Sequence, residues 1–395
     1  MAITFTERYV TTTASGGGDG SSGNPWTWNE ALTNAAAGDR VNVKVGTYAG
    51  DNTAMTADGT RVNPIVFRGY QTTIGDLDDN IDNLTDGTQI PLISGNVNGG
   101  GFNTCNYTFI NHLSFKTNAV WNSTGWRVVL PYGYARRCKF VSGATGSGSD
   151  STRACTVGQT TGYYDCYFAT SSSTGYGITN GTALLSVGNT SIYTGPSLRG
   201  GYGIVAFHNV NSTYINLNTA ISRSYAVDNF LVNNCTFYNC GIAVRTTYVD
   251  YDRTRTITNC YFANCGTCIE SYISDNSGFH IINCGFYNNT NNVGSNIPTS
   301  MLVTPRYDTS DPFMDSANND FRLASASLGY SSAFPDKDYV SGNLNSRDIG
   351  SLQHPNSFPS PHSNASGTQF YPFRHLLEAP VKGDPDFVPH PLGGN

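Results

Sequence analysis

One short phrase recurs along this chain: Asn234-Cys235-Thr236-Phe237, Asn259-Cys260-Tyr261-Phe262 and Asn283-Cys284-Gly285-Phe286. Its cysteines lie 25 and 24 residues apart. Looser copies stand upstream at Arg137-Cys138-Lys139-Phe140 and Asp165-Cys166-Tyr167-Phe168, with His112-Leu113-Ser114-Phe115 before them. In each copy Cys and Phe take one side and a polar or small residue sits between them, which is strand periodicity. A period near 25 with Gly, Asn and Ser turns fits a coil of three short strands. Such a coil cannot bury its inner face alone, so it is stable only when stacked on the next.

The expectation is an all-β fold, a right-handed parallel β-helix with rungs ~4.8 Å apart. Residues at equivalent positions should form internal ladders of Cys on Cys, Phe on Phe and Asn on Asn. Asn suits the turns because it tolerates left-handed backbone and can hydrogen-bond its own kind along the stack. The register runs back through Val41-Asn42-Val43-Lys44-Val45, Ile65-Val66-Phe67, Pro91-Leu92-Ile93-Ser94 and Tyr107-Thr108-Phe109-Ile110. Between about 170 and 230 the spacing reads as irregular, with strands near Ala183, Gly203 and Tyr214 and longer side loops. Roughly twelve coils make a rod of about 55 Å. Open solenoid ends need covering. The segment from Trp26 to Gly38 reads as a short amphipathic helix that caps the first coil. Residues 1–39 are therefore taken as an N-terminal segment and cap, 40–353 as the β-helix and 354–395 as an extended arm.

Composition narrows the partners. Net charge is −6, with 17 Arg, five Lys and no basic run, so nucleic acid is not expected. No stretch approaches the ~20 apolar residues of a membrane span. Met1-Ala2-Ile3-Thr4-Phe5-Thr6-Glu7 lacks the basic start and apolar core of a secretory signal, so folding in a cytoplasm is expected. The ten cysteines then read as free, small inward-facing residues. Cys265-Gly-Thr-Cys268 has the C-x-x-C form but no second pair, and it too reads as structural.

Gly17-Gly18-Asp19-Gly20, Ala37-Gly38-Asp39-Arg40-Val41 and Val45-Gly46-Thr47-Tyr48 together resemble the opening of pectate-lyase-like right-handed β-helix proteins. Asp311-Pro312-Phe313-Met314-Asp315, Asn319-Asp320-Phe321-Arg322-Leu323 and Ser327 resemble that superfamily's closing coil, and Arg347-Asp348-Ile349-Gly350 its terminal signature. The resemblance covers about residues 9 to 353. It implies a fold and leaves function open, because the superfamily includes lyases, glycosidases, epimerases, adhesins and virion proteins.

Two clusters could carry chemistry. An eliminating lyase needs a base on the proton next to a uronate carboxylate and a cation, often Ca²⁺, for the developing charge. Asp76, Asp78, Asp79, Asp82 and Asp86 form the densest acidic run. Ile81 and Gly87 stand where an EF-hand loop needs Gly and Glu, so the run reads first as a solvated loop. Arg245, Asp250, Asp252, Arg253 and Arg255 could grip an acidic sugar or form surface ion pairs. Tyr163, Tyr164, Tyr176, Tyr193 and Tyr202 could form a carbohydrate-stacking face. Neither charged cluster matches the catalytic strings of pectate lyases or polygalacturonases.

After Gly350 the composition changes. Residues 355–395 hold eight of the 17 prolines, which forbid regular strands. Yet Phe370, Tyr371, Phe373, Leu376, Leu377, Phe387 and Val388 are apolar, as in an arm that becomes ordered on a partner.

The leading expectation is a non-enzymatic virion protein of a phage, made in the host cytoplasm, that decorates the head or builds a tail fibre or spike. Its partners would be other virion proteins or its own copies, a trimer for example, with a host glycan as a further ligand. No cofactor is then expected. The alternative is a polysaccharide lyase or glycoside hydrolase on the same fold. In that case Asp76, Asp78, Asp79, Asp250, Asp252 and Arg253 are the catalytic candidates, with Ca²⁺ at the acidic run.

Overall fold

The computed structural model describes residues 4–50, 53–77, 81, 84–95, 101–103, 105–117, 127–129, 133–142, 153–156, 161–171, 176–179, 183–195, 197–204, 206–223, 230–246, 255–272 and 279–328. Asp78, Asp79, Asp82, Asp250, Asp252, Arg253, the Arg347–Gly350 signature and the whole arm lie outside them.

The expected parallel β-helix is present. Among the described residues, strands one coil apart pair in parallel and build three long sheets, with Gly101–Asn103 and Arg127–Val129 as a separate parallel pair. The first has 12 strands, from Thr6–Val10 to Leu302–Val303. The second has 11, from Thr47–Ala49 to Arg306–Tyr307, and the third has seven, from Arg153–Thr156 to Asn291–Val293. One strand precedes the cap: Thr6–Val10 pairs with Asp39–Lys44 and forms the sheet's edge.

The helix runs over Trp28–Asn34 and begins in a capping box, with Glu30 N donating to Thr27 Oγ1 and Thr27 N to Glu30 Oε2. It buries Trp28, Ala31 and Leu32, and the Trp28 ring meets Phe67 at 5.8 Å. The first coil is thereby covered.

Inside the second sheet the phenyl rings stack as the repeat requires. Phe115, Phe140 and Phe168 are spaced 5.6 and 5.0 Å, and Tyr214, Phe237, Phe262 and Phe286 are spaced 5.0, 4.9 and 5.4 Å. Each buried ring contributes roughly 1.5–3 kcal/mol. Two corner ladders hold left-handed residues, among them Asn211, Asn234, Asn259 and Asn283 in one and Asn216, Asn239, Asn264 and Asn288 in the other. Their amides bond up the stack, Asn283 to Asn259 at 2.9 Å and Asn288 to Asn264 at 2.8 Å.

Two expectations are corrected. Residues 170–230 have the strands expected near Ala183, Gly203 and Tyr214, but their spacing is regular: Asn189 and Ser212 occupy the Cys position, with Asn189 23 residues after Cys166 and Ser212 23 further on. The winding continues there with polar residues in place of the apolar ones. The segment from Asp311 to Ser327 is not a further coil. Phe313–Asp315 and Asp320–Leu323 pair antiparallel, and the hairpin folds back on the outward face of the second sheet. Phe313, Phe321 and Leu323 pack there with Ile215, Tyr238, Tyr261 and Ala263.

Candidate functional site

Among the described residues, the charged groups that the sequence singled out do not converge. Asp76 is exposed, and its carboxylate accepts hydrogen bonds from the backbone N–H of Gln71, Thr72 and Thr73 at 2.6–2.8 Å and from Thr72 Oγ1 at 2.7 Å. Burial would raise its pKa, but these bonds hold it below the usual carboxylate range. It shapes a turn. Asp86 pairs with Lys139 Nζ at 3.4 Å on the second sheet. Arg245 lies on the third sheet beside its register partner Glu270, with Nε 2.7 Å from Oε2. Arg255 lies on the first sheet with its guanidinium over Phe279. Arg245 and Arg255 thus belong to different faces of the rod.

The tyrosines do not form one surface either. Tyr163 and Tyr193 are buried in the core. Tyr164, one residue on from Tyr163, points outward from the first sheet. The side chains of Tyr176 and Tyr202 lie outside the described residues.

The described cysteines pack the interior. Among the described residues nine are free thiols, all buried except half-buried Cys105. Burial pushes the Cys260 and Cys284 thiols well up, which keeps them from acting as nucleophiles. Among the described residues no three His, Cys, Asp or Glu side chains are grouped to hold a metal ion.

A polar and aromatic strip, in which the sequence pointed only to Tyr164, runs along the outward face of the first sheet. Register makes Asn42, Arg68, Asn111, Arg136 and Tyr164 successive neighbours in one row. Glu7, Arg40, Val66, Phe109 and Tyr134 form the row beside it. Glu7 closes the N-terminal end. It accepts from Arg40 Nε at 2.9 Å and from Asn42 Nδ2 at 2.7 Å, and Arg68 donates from Nε to Asn42 Oδ1 at 2.6 Å. Burial alone would raise the Glu7 pKa, but the hydrogen bonds from Arg40 and Asn42 and the two guanidinium charges hold it below its ordinary value.

Further along, the strip has unused capacity. Asn111 is 9% exposed and its Oδ1 has no hydrogen-bond partner. It lies between Arg68 and Arg136 in the register. Beside it Phe109 and Tyr134 stack at 4.3 Å, and Tyr164 meets Tyr134 edge-on at 6.0 Å. Gly162 makes that last contact fit, since a Cβ there would run into the Tyr164 ring. Burial pushes the Tyr164 hydroxyl up to about 12, so it stays protonated.

The backbone beside the strip is unusual. At the corner position where later coils place Asn, these coils place His112 (φ 51°) and Arg137 (φ 49°). Arg costs more than Asn in the left-handed region, and strain of this kind collects at functional sites. The signal was legible: His112 and Arg137 head their copies of the repeat where Asn heads three others.

No sequence-family pattern and no curated protein matches the chain. Among solved structures it is similar to a pectate lyase, at 11% identity and a TM-score of 0.43, over 89% of this chain and 97% of that one. It is similar to a rhamnogalacturonan lyase at 12% identity and a TM-score of 0.29, over 71% and 74% of the two chains. A family 6 polysaccharide lyase from Pseudopedobacter saltans gives 12% and 0.27, over 77% and 96%. No activity passes to the chain from them.

Proposed function

We propose that this chain is a carbohydrate-directed β-helix that engages an anionic polysaccharide along the outward face of the first sheet. The observation that carries the reading is the half-buried pair of register neighbours Arg136 and Tyr164 at the edge of the Phe109–Tyr134 stack. A guanidinium takes a sugar carboxylate or sulfate through charge-assisted bonds. The Tyr164 ring packs against the sugar's C–H face. Cleavage of the bound chain, as by a lyase or hydrolase, needs a base. Glu7, Asp76, Asp86 and Glu270 each already have partners, so Asp78, Asp79, Asp250 and Asp252 are the carboxylates to test for turnover.

Binding of polygalacturonate, alginate and a neutral glucan, measured by affinity electrophoresis, tests the reading. The anionic chains should be retained and Arg136→Ala should weaken retention by roughly ten- to a hundredfold, since a charge-assisted bond contributes roughly 1.5–3 kcal/mol. Equal retention of the variant, or none of the wild type, rejects it.

The structural-component reading has one observation in its favour. The last rungs expose Val303 and Tyr307, an apolar end suited to burial against another chain. In that reading the protein is a virion component and the arm, with Phe370, Tyr371, Phe373, Leu376, Leu377 and Phe387, orders on a partner. Fixed-stoichiometry recovery in virus particles supports it, and absence from particles counts against it.

A further inference from the structure

Two consecutive coils carry polar side chains where the rest of the rod is apolar. In the first sheet's inward row, Ser186 and Asn209 stand between Tyr163 and Val232. In the corner row, Asn189 and Ser212 replace cysteine. In the second sheet's inward row, Ser191 stands between Phe168 and Tyr214. All five polar residues are buried.

Most of this polarity is satisfied within the protein. Asn189 Oδ1 accepts from Cys166 N at 2.7 Å, and its Nδ2 donates to Tyr163 O at 3.1 Å and to Ser186 Oγ at 2.8 Å. Ser212 Oγ donates to Val210 O at 3.1 Å, and Tyr214 Oη to Asn209 Oδ1 at 3.0 Å. Ser191 is the exception. It is 1% exposed and its Oγ has no hydrogen-bond partner.

Ser191 also breaks the aromatic ladder. Phe168 and Tyr214 are two rungs apart, ~9.6 Å at the sheet spacing. The rung between them carries a hydroxymethyl group where its neighbours carry a ring. Protein interiors are close-packed, and a buried hydroxyl that no protein group meets is a place where an internal water binds. We propose that the Ser186–Asn189–Ser191 rung encloses ordered water, with one molecule held by Ser191 Oγ.

Two variants and a high-resolution diffraction map test this. The map of the wild type should show a peak within hydrogen-bond distance of Ser191 Oγ. Ser191→Ala should lower the melting temperature, because the enclosed water loses a partner while the space remains. Ser191→Phe should fold and melt at or above the wild-type temperature, its ring taking the water's place in the ladder. A rise in melting temperature for Ser191→Ala overturns the proposal, since removing a hydroxyl that truly lacks a partner relieves the interior. A strongly destabilised Ser191→Phe, or a map with no peak, overturns it as well.

Discussion

Gly285 stands directly opposite Tyr261 in the second sheet, and the missing side chain of one makes room for the ring of the other. The Tyr261 hydroxyl donates to Asp308, whose carboxylate also accepts from Ser327 Oγ at 3.0 Å and from Leu328 N at 2.9 Å. Burial and the Asp308 carboxylate push the Tyr261 hydroxyl far up, so it remains a donor. Phe313 packs on the same ring at 5.5 Å. One ring thus joins the rod to the hairpin that folds back on it.

Gly285→Ala should therefore cost about 1–3 kcal/mol, the usual range for overpacking a fitted site. Thermal melts would measure the loss. Proteolysis should show the hairpin 313–323 cut first, while wild type resists there.

The corner ladders predict opposite effects for two substitutions. Asn259→Ala removes a left-handed residue and its bond from Asn283, and should cost about 2 kcal/mol. Arg137→Asn places the preferred residue at φ 49° and should gain about 1 kcal/mol. If Arg137→Asn is destabilising by denaturant titration, the corner is not strained.

Glu7 should contribute to acid sensitivity. Its pKa is lowered in the folded state, so its contribution to stability is complete above the ordinary Glu range near 4.5 and is lost as pH falls through the folded value. Glu7→Gln should flatten the dependence of melting temperature on pH below about 4.5 and change it little near neutrality.

Thiol reactivity should follow burial. In native protein a water-soluble disulfide reagent should meet Cys105 first, and the eight buried thiols should react only on unfolding. Rapid reaction of Cys235, Cys260 or Cys284, located by mass spectrometry, would show that the central coils open readily.

The polar rung should also be the weak point of the rod. Amides of the strands Ala183–Val187 and Ala206–Val210 should exchange before those of Phe230–Asn233 and Arg255–Thr258, because fewer apolar contacts hold them. Uniform exchange along the rod would contradict this.

The sequence by itself determined the winding. A strand alternation and a period near 25 leave few ways to bury Cys and Phe, and stacking identical coils satisfies every rung. The Asn corners were equally legible, because left-handed backbone and amide ladders are properties of single residues and fixed spacings. Tertiary structure decided the rest. Asn189 and Ser212 could not be read as members of the Cys ladder, since only their neighbours' N–H and C=O groups make polar side chains acceptable there. The hairpin at Phe313 reads like one more coil until Tyr261 and Gly285 offer it an outward surface. The strip from Glu7 to Tyr164 is assembled by register from strands that lie 25 to 43 residues apart in sequence. A local pattern specifies how each strand faces; which side chains become neighbours across strands is fixed only when the coils close on one another.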